Sequence, residues 1–312
     1  SAIGAIAFLF LILITNKTGI ILISSCLGLA AVLILISKKY IKVFATVLVL
    51  FLAIVLLLNF FYPSLWEIRV SPYKSLASVL RNPDSELIYA DENASTRIEV
   101  VKSGSIKSAP GLSLKYQGIP PSQLGLTVDA DNLSPITSFE EDSVDFLNYM
   151  PQSLLFGFNK KYDHILIVEP GGGLDILAAV YFEDAQVYVV QNNSLMVNAL
   201  KNEFSEYSGN LYSKENITVI DDSVRNFCRT TDVKFDLIIL SLSDSFHPIS
   251  SGAYSLNENY LFTRECFSCL LDIIKPNGLI AVTRWAQVPP SENLKLLSTM
   301  VGGMDENQAH DL

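Results

Sequence analysis

Positive charge is scarce in this sequence, and so are histidine and cysteine. Across 312 residues, 22 Lys and Arg stand against 32 Asp and Glu, with three His and four Cys. The first 62 residues hold no Asp or Glu and only four Lys: Lys17, Lys38, Lys39 and Lys42. The 18 basic and 32 acidic residues after Tyr62 therefore give that portion a formal charge of −14. Nucleic acid is held largely by Lys and Arg that neutralise phosphates, so no nucleic-acid partner is expected. An acidic portion suits a small cationic substrate better, although acidity also simply keeps a surface soluble. The cysteines exclude two further classes. Cys26 lies in an apolar run, Cys228 stands alone, and Cys266 with Cys269 forms one CxxC lacking a second pair or a suitably spaced His. Neither a zinc site nor a disulfide framework is expected, and helical spacing accounts for the pair.

What is abundant is apolar residue, half of the chain, with the excess at the N-terminus. Three apolar stretches, Ala2–Ile14, Gly19–Ile36 and Val43–Phe61, open the sequence. Crossing a bilayer core as a helix takes roughly 20 residues, which the second and third approach. Residues 1–62 thus read as transmembrane helices of a multi-pass anchor. The chain has no initiator Met and room for only one helix after Trp285, so it is expected to be truncated at both ends. Lys38, Lys39 and Lys42 favour a cytoplasmic loop between the second and third spans, whereas Arg69, Lys74 and Arg81 favour the opposite orientation. Charge leaves the orientation open.

Residues 63–150 read as a connector and a small β-domain. Pro63, Pro72 and Pro83 punctuate the connector, and short strand-like runs follow at Glu86–Tyr89, Arg97–Val101, Gly111–Tyr116 and Leu124–Val128. Gly and Pro between them predict a small antiparallel sheet, and Ser143–Phe156 reads as a helix. Residues 151–312 change regime. His164–Glu169, Gln186–Gln191, Ile217–Ile220, Asp236–Ser241 and Gly278–Arg284 read as strands. Helical segments at Leu174–Phe182, Leu195–Tyr207 and Asn259–Ile274 fall among them. That alternation predicts an α/β, Rossmann-like, doubly wound parallel sheet, apparently short of its last strands.

Four strand ends carry chemistry. The apolar run Ile165–Val168 leads through Glu169 and Pro170 into Gly171, Gly172 and Gly173, then Leu174 and Asp175. Glycines let backbone approach a nucleotide and the following helix offers free N–H groups; a tight turn needing positive φ is the plain alternative. The next strand ends on Gln191, where an acid commonly accepts from a ribose diol; glutamine is a neutral, weaker acceptor. Asp222 and Ser223 follow the third strand, placed either to accept from an adenine amino group or to cap a helix. The fourth strand delivers Ser241 and then Asp244 to the sheet mouth, where a carboxylate can hold or deprotonate an amine.

The run from Ser251 to Thr263, with Lys275-Pro276-Asn277-Gly278 and Thr283-Arg284-Trp285, resembles the membrane-bound spermidine synthase-like proteins of bacteria. The upstream segments agree: Ser95–Val101, Tyr116, Pro121-Ser122-Gln123 and Val128–Asp131 resemble that family's N-terminal β-domain. The resemblance covers roughly residues 63–298. It implies aminopropyl transfer from decarboxylated S-adenosylmethionine to a small amine, without a metal. It also implies cofactor binding by Gly171–Gly173, Asp175, Gln191, Asp222 and Ser223, and catalysis by Asp244 with Ser241. Substrate contacts would come from Gln123, Asp145, Tyr254 and Tyr260. The chain departs from the pattern at Ser241, where the soluble enzymes carry an Asp, and at Ser143-Val144-Asp145, where they carry Tyr-His-Glu. A lone serine is too weakly acidic to replace a carboxylate base unless another group activates it. Three functions therefore stay open: a transferase using decarboxylated S-adenosylmethionine or S-adenosylmethionine (by aminopropyl or methyl transfer), a non-catalytic membrane-tethered nucleotide- or polyamine-binding module, and a transporter or scaffold with a regulatory Rossmann domain. A homodimer is compatible with each. The cytosolic origin of the cofactor makes a cytoplasmic soluble domain the expectation.

Overall fold

A computed structural model describes residues 70–93, 95–139, 144–158, 161–242, 260–285 and 290–304, with scattered helical positions between 23 and 61. The chain divides into two compact units: Ser1–Ser71 with Asn93–Thr96, and Pro72–Glu92 with Arg97–Leu312. In the first unit, the described positions between 23 and 61 are helical, and Val43, Val47, Leu50, Phe51, Ile54 and Leu57 are exposed. Among the described residues no helix is long and apolar enough to cross a membrane. Of the three apolar stretches expected to do so, Ala2–Ile14 lies outside the described residues, and Gly19–Ile36 and Val43–Phe61 are described only at scattered positions.

The second unit begins with a short helix, α1 (Ser75–Val79), and a four-stranded antiparallel meander. Its strands are β1 (Glu86–Glu92), β2 (Arg97–Lys102), β3 (Gln123–Val128) and β4 (Asp131–Thr137), in that spatial order. β4 was not foreseen, because Pro135 and four polar residues break the alternation on which a strand is read. Its place at the sheet edge tolerates a proline, which cannot donate to a ladder. Asp129 and Ala130, both at positive φ (50° and 64°), turn β3 directly into β4. Two positive-φ residues make the tight hairpin connection that matches strand twist. Residues 111–116, expected as a strand, form turns instead. Gly111 sits at φ 80° against Pro151, and Ser113 N–H donates to Tyr149 O at 2.9 Å.

The expected helix 143–156 is broken. A 3-10 turn, Asp145–Tyr149, is followed by the four-residue α2 (Ser153–Phe156), since Pro151 cannot continue a helical ladder. Then come β5 (His164–Val168), α3 (Leu174–Phe182), β6 (Gln186–Val190), α4 (Ser194–Lys201), β7 (Ile217–Ile220), α5 (Val224–Thr230), β8 (Phe235–Leu240), α6 (Arg264–Ile273), β9 (Ile274–Val282) and α7 (Ser291–Val301). These five strands are parallel and ordered β7-β6-β5-β8-β9. The order reverses direction at β5, so the crevice beside its C-terminal end is a topological switch point, where open α/β sheets bind ligands.

Alternation along β5 divides the interior. Ile165 and Ile167 join a core that also contains Ile98, Val100, Leu126 and Ile136 of the antiparallel sheet, with Ile176 and Leu177 of α3. Leu166 and Val168 face a second core with Phe227 of α5 and Phe267 and Leu270 of α6. The small sheet is thereby fastened to the parallel sheet through one continuous apolar layer. That layer brings β4 against the glycine turn.

Candidate functional site

The last backbone pairings of the parallel sheet set a row of polar residues just beyond it. Glu169 N–H donates to Val190 O at 2.9 Å, Gln191 N–H to Ile220 O at 3.0 Å, and Ser241 N–H to Val168 O at 3.1 Å. Glu169, Gln191 and Ser241 therefore stand at the C-terminal ends of the adjacent strands β5, β6 and β8. Glu169 itself is at φ 52°, an uncommon conformation for a residue with a side chain.

Glu169 was not singled out in the sequence, yet it organises this row. Its Oε1 accepts from Asn192 N–H at 3.0 Å and its Oε2 from the Gln191 Nε2 amide. Burial pushes its carboxyl above the ordinary range, and donation from Asn192 and Gln191 pulls it back only in part. The acid expected at the end of β6 is thus present one strand over, facing the glutamine that stands in its expected place. The signal in the sequence was an acid between an apolar strand and a glycine turn.

The glycine turn is used differently from the expectation. Gly172 N–H donates to Ser134 Oγ of β4 at 2.8 Å, and Tyr212 donates its hydroxyl to Gly171 O at 2.8 Å. A Cβ on Gly172 would lie 2.1 Å from the Pro135 carbonyl oxygen. The close backbone approach that demands glycine here is that of β4. Just past the turn, Asp175 in the first turn of α3 is 4% exposed, beside Ser241 at 2% and Gln152 at 8%. Burial raises the Asp175 carboxyl, and the nearby Ser241 and Gln152 side chains lower it only in part. None of these contacts closes as an ordinary hydrogen bond: Asp175 Oδ1, Ser241 Oγ and Gln152 Oε1 have no partner, nor has Gln191 Oε1.

The other expected residues are placed as follows. Asp222 accepts from Ser223 N–H at 2.7 Å and from the Asn226 side chain, while Ser223 Oγ caps α5 by accepting from Asn226 N–H at 3.3 Å. Gln123, in β3, is buried; its Oε1 accepts from Ser108 N–H at 2.6 Å and its Nε2 donates to Ser108 O and Thr137 Oγ1. Those bonds pin the 103–122 excursion to the small sheet. Asp145 is exposed and accepts from Tyr181 Oη at 3.3 Å, and Tyr260 is exposed in the turn Tyr260–Phe262. Asp244 and Tyr254 lie outside the described residues. No group of His, Cys, Asp and Glu among the described residues is arranged to hold a metal ion. A groove of about 520 Å³ lined by Tyr181, Glu183, Lys214 and Asn216 opens at the opposite, N-terminal edge of the sheet.

With this frame in place, residues 153–305 match the family model described as the spermine/spermidine synthase domain. Solved structures similar to the chain include a spermidine synthase from Thermotoga maritima (15% identity, 72% of this chain and 63% of that one, TM-score 0.43). A second is a spermidine synthase in complex with the transition state analogue AdoDATO (14% identity, 63% and 57%, TM-score 0.43). A third is a putative rRNA-methylase from Clostridium thermocellum (17% identity, 50% and 81%, TM-score 0.37). The chain spans less than two thirds of the length of either synthase. Comparison with curated proteins finds no match.

Proposed function

We propose that this chain is a spermidine synthase-like transferase that passes an alkyl group from an S-adenosylmethionine-type donor to a small amine. The observation that carries this reading is the set of buried, unpartnered polar atoms at the switch point: Gln191 Oε1, Asp175 Oδ1, Ser241 Oγ and Gln152 Oε1. Buried polar atoms are normally bonded, and leaving them bare is costly, so four at one crevice suit a ligand rich in donors. Ribose hydroxyls and an ammonium group are such donors. The residues fit the donor molecule in part: Gln191 and the Asp175 cluster have acceptors to offer, whereas the Gly172 N–H is already taken by Ser134. When bound, decarboxylated S-adenosylmethionine or S-adenosylmethionine would supply a carbon made electrophilic by its sulfonium. The chain's part is to hold that carbon in line with the amine, exclude water and take a proton from the nitrogen. No metal enters this scheme.

The test uses the full chain with primary amines and each donor in turn, following release of methylthioadenosine or S-adenosylhomocysteine. The first product supports aminopropyl transfer, the second methyl transfer, and neither refutes the reading. The second reading, a non-catalytic binding module, is favoured by Ser241 at the end of β8 and by the commitment of the Gln191 amide to Glu169. Binding of the donor without any turnover would establish it.

The membrane anchor and the placement of residues 63–312 in the cytoplasm belong to the same proposal. The run of exposed Val43, Val47, Leu50, Phe51, Ile54 and Leu57 supports an apolar environment for the first unit. Leu114 is fully exposed, so a Leu114→Cys variant reports the side of the membrane. Labelling of that cysteine by an impermeant reagent in intact cells would overturn the cytoplasmic placement.

A further inference from the structure

The chain has seven arginines, and three of them line one groove: Arg225 and Arg229 of α5 and Arg264 of α6. The groove encloses about 450 Å³ and is completed by Glu265, Ser268 and Asp272 of α6 and by Gly302 and Gly303 at the end of α7. The two glycines let that end pass close to the head of α6. A Cβ on Gly302 would lie 2.8 Å from Arg264 Nε, and one on Gly303 would lie 2.8 Å from Arg264 O. Among the described residues, none of the three arginines makes a hydrogen bond or a contact ion pair.

Helix stability does not account for this arrangement. Arg225 and Arg229 stand four residues apart on α5, where like charges repel. Arg225 in the first turn of α5 and Arg264 in the first turn of α6 put cations at the positive ends of their helices, where they are disfavoured. Two carboxylates share the groove. The N–H of Glu265 and the Thr263 side chain, then the charges of Arg225 and Arg264, hold the Glu265 carboxyl below the ordinary range. Asp272 lies eight residues along α6 from Arg264, about 12 Å down the helix axis. Three arginines against these two acids leave the groove one positive charge, in a portion of the chain whose formal charge is −14.

We propose that this groove binds a soluble small molecule carrying linked phosphates, at a site separate from the switch point and independent of the transferase reading. The planar guanidinium fork matches phosphate oxygens two at a time, and an anion set among the arginines offsets their mutual repulsion. Arg225 and Arg229 are about 6 Å apart along α5, wider than a single phosphate, so two joined phosphates engage both. The Ser268 hydroxyl adds a neutral donor. A volume of about 450 Å³ falls within the range of small-molecule sites and exceeds what two phosphates fill, which leaves room for an organic group.

The probe is pyrophosphate, titrated calorimetrically into the full chain with sodium chloride matched for ionic strength. One molecule should bind per chain, at least about tenfold tighter than inorganic phosphate. Arg225→Gln and Arg229→Gln should each weaken binding about tenfold or more, since each removes charge-assisted hydrogen bonds. Arg229→Lys keeps the charge but not the fork and should lose less than Arg229→Gln. Glu265→Gln should tighten binding, because it removes a repelling charge; a gain of that kind does not arise from misfolding. Without ligand, the two Gln variants should unfold at or above the wild-type Tm, because the repulsion along α5 is relieved. Absence of saturable heat with pyrophosphate overturns the inference. So does an affinity unmoved by both Gln substitutions, or one equal for phosphate and pyrophosphate. Each of these failures leaves the transferase reading standing, since that reading is decided by turnover of an amine.

Discussion

Gly172→Ala separates the two reasons for a glycine turn at the end of β5. The added methyl would sit 2.1 Å from Pro135 O, 2.4 Å from Pro135 C and 2.8 Å from Ile136 N. All three are backbone atoms of β4, so no side-chain rotation relieves the clash. β4 must move by more than an ångström to reach ordinary contact, and it is held by its ladder to β3 and by Ile136 in the core. Overpacking of that kind costs typically 1–3 kcal/mol. Loss of the Gly172 N–H to Ser134 Oγ bond adds about 1 kcal/mol. The expected sum is ~2–4 kcal/mol, which for a unit of this size lowers Tm by roughly 4–16 °C. Ser134→Ala removes only the hydrogen bond and should cost about 1 kcal/mol, which isolates the steric share. The assay is thermal unfolding of both variants, followed by donor binding at a temperature where each is folded. A Gly172→Ala protein as stable as wild type but unable to bind the donor would refute the reasoning. That result would mean the ligand, and not β4, occupies the space above the turn.

Other outcomes follow from the same contacts. Glu99→Ala removes a buried carboxylate that pairs with Arg97 at 2.9 Å and accepts from Thr127 Oγ1 and Ala130 N–H. Arg97 can turn to water but the Ala130 N–H cannot, so chemical denaturation should show a loss of about 2–3 kcal/mol. Asn193→Ala deletes the side chain that caps α4 by accepting from Leu195 and Met196 N–H, at an expected cost of ~1 kcal/mol in the same measurement. Glu169 is raised in the folded protein, so folding binds its proton more tightly, and its favourable contribution is lost as pH rises from about 4.3 through the folded value. Glu169→Gln should therefore flatten the fall in stability over that window, and equal pH profiles for the two proteins would contradict the burial of this carboxyl. Asp222→Ala should cost about 1 kcal/mol through the start of α5, and donor affinity that is also unchanged would limit Asp222 to capping.

Much of the parallel sheet was legible because its signals are local. Each central strand is an unbroken apolar run, since both of its faces are covered, and each turn carries the Gly, Asn, Asp or Ser that its backbone requires. Thus β5 through β9 appear near their expected places, and Asn193 and Ser223 do what N-cap residues do. The strand ends could be named as the site for the same reason: a parallel α/β order puts them at one edge. What the linear order could not reveal is which side chains share the crevice, because that depends on contacts between distant segments. Ser134 closing the glycine turn, Glu169 taking the amide of Gln191, and Asp175 lying near Ser241 and Gln152 join residues 22 to 66 positions apart. β4 hid behind its proline, which an edge strand tolerates and a central one does not. The sequence by itself determined the alternation of elements and the chemistry available at their ends. Only the tertiary structure decided which of those groups are spent on one another and which remain unpaired, because burial and pairing are properties of the packed chain and of no single segment.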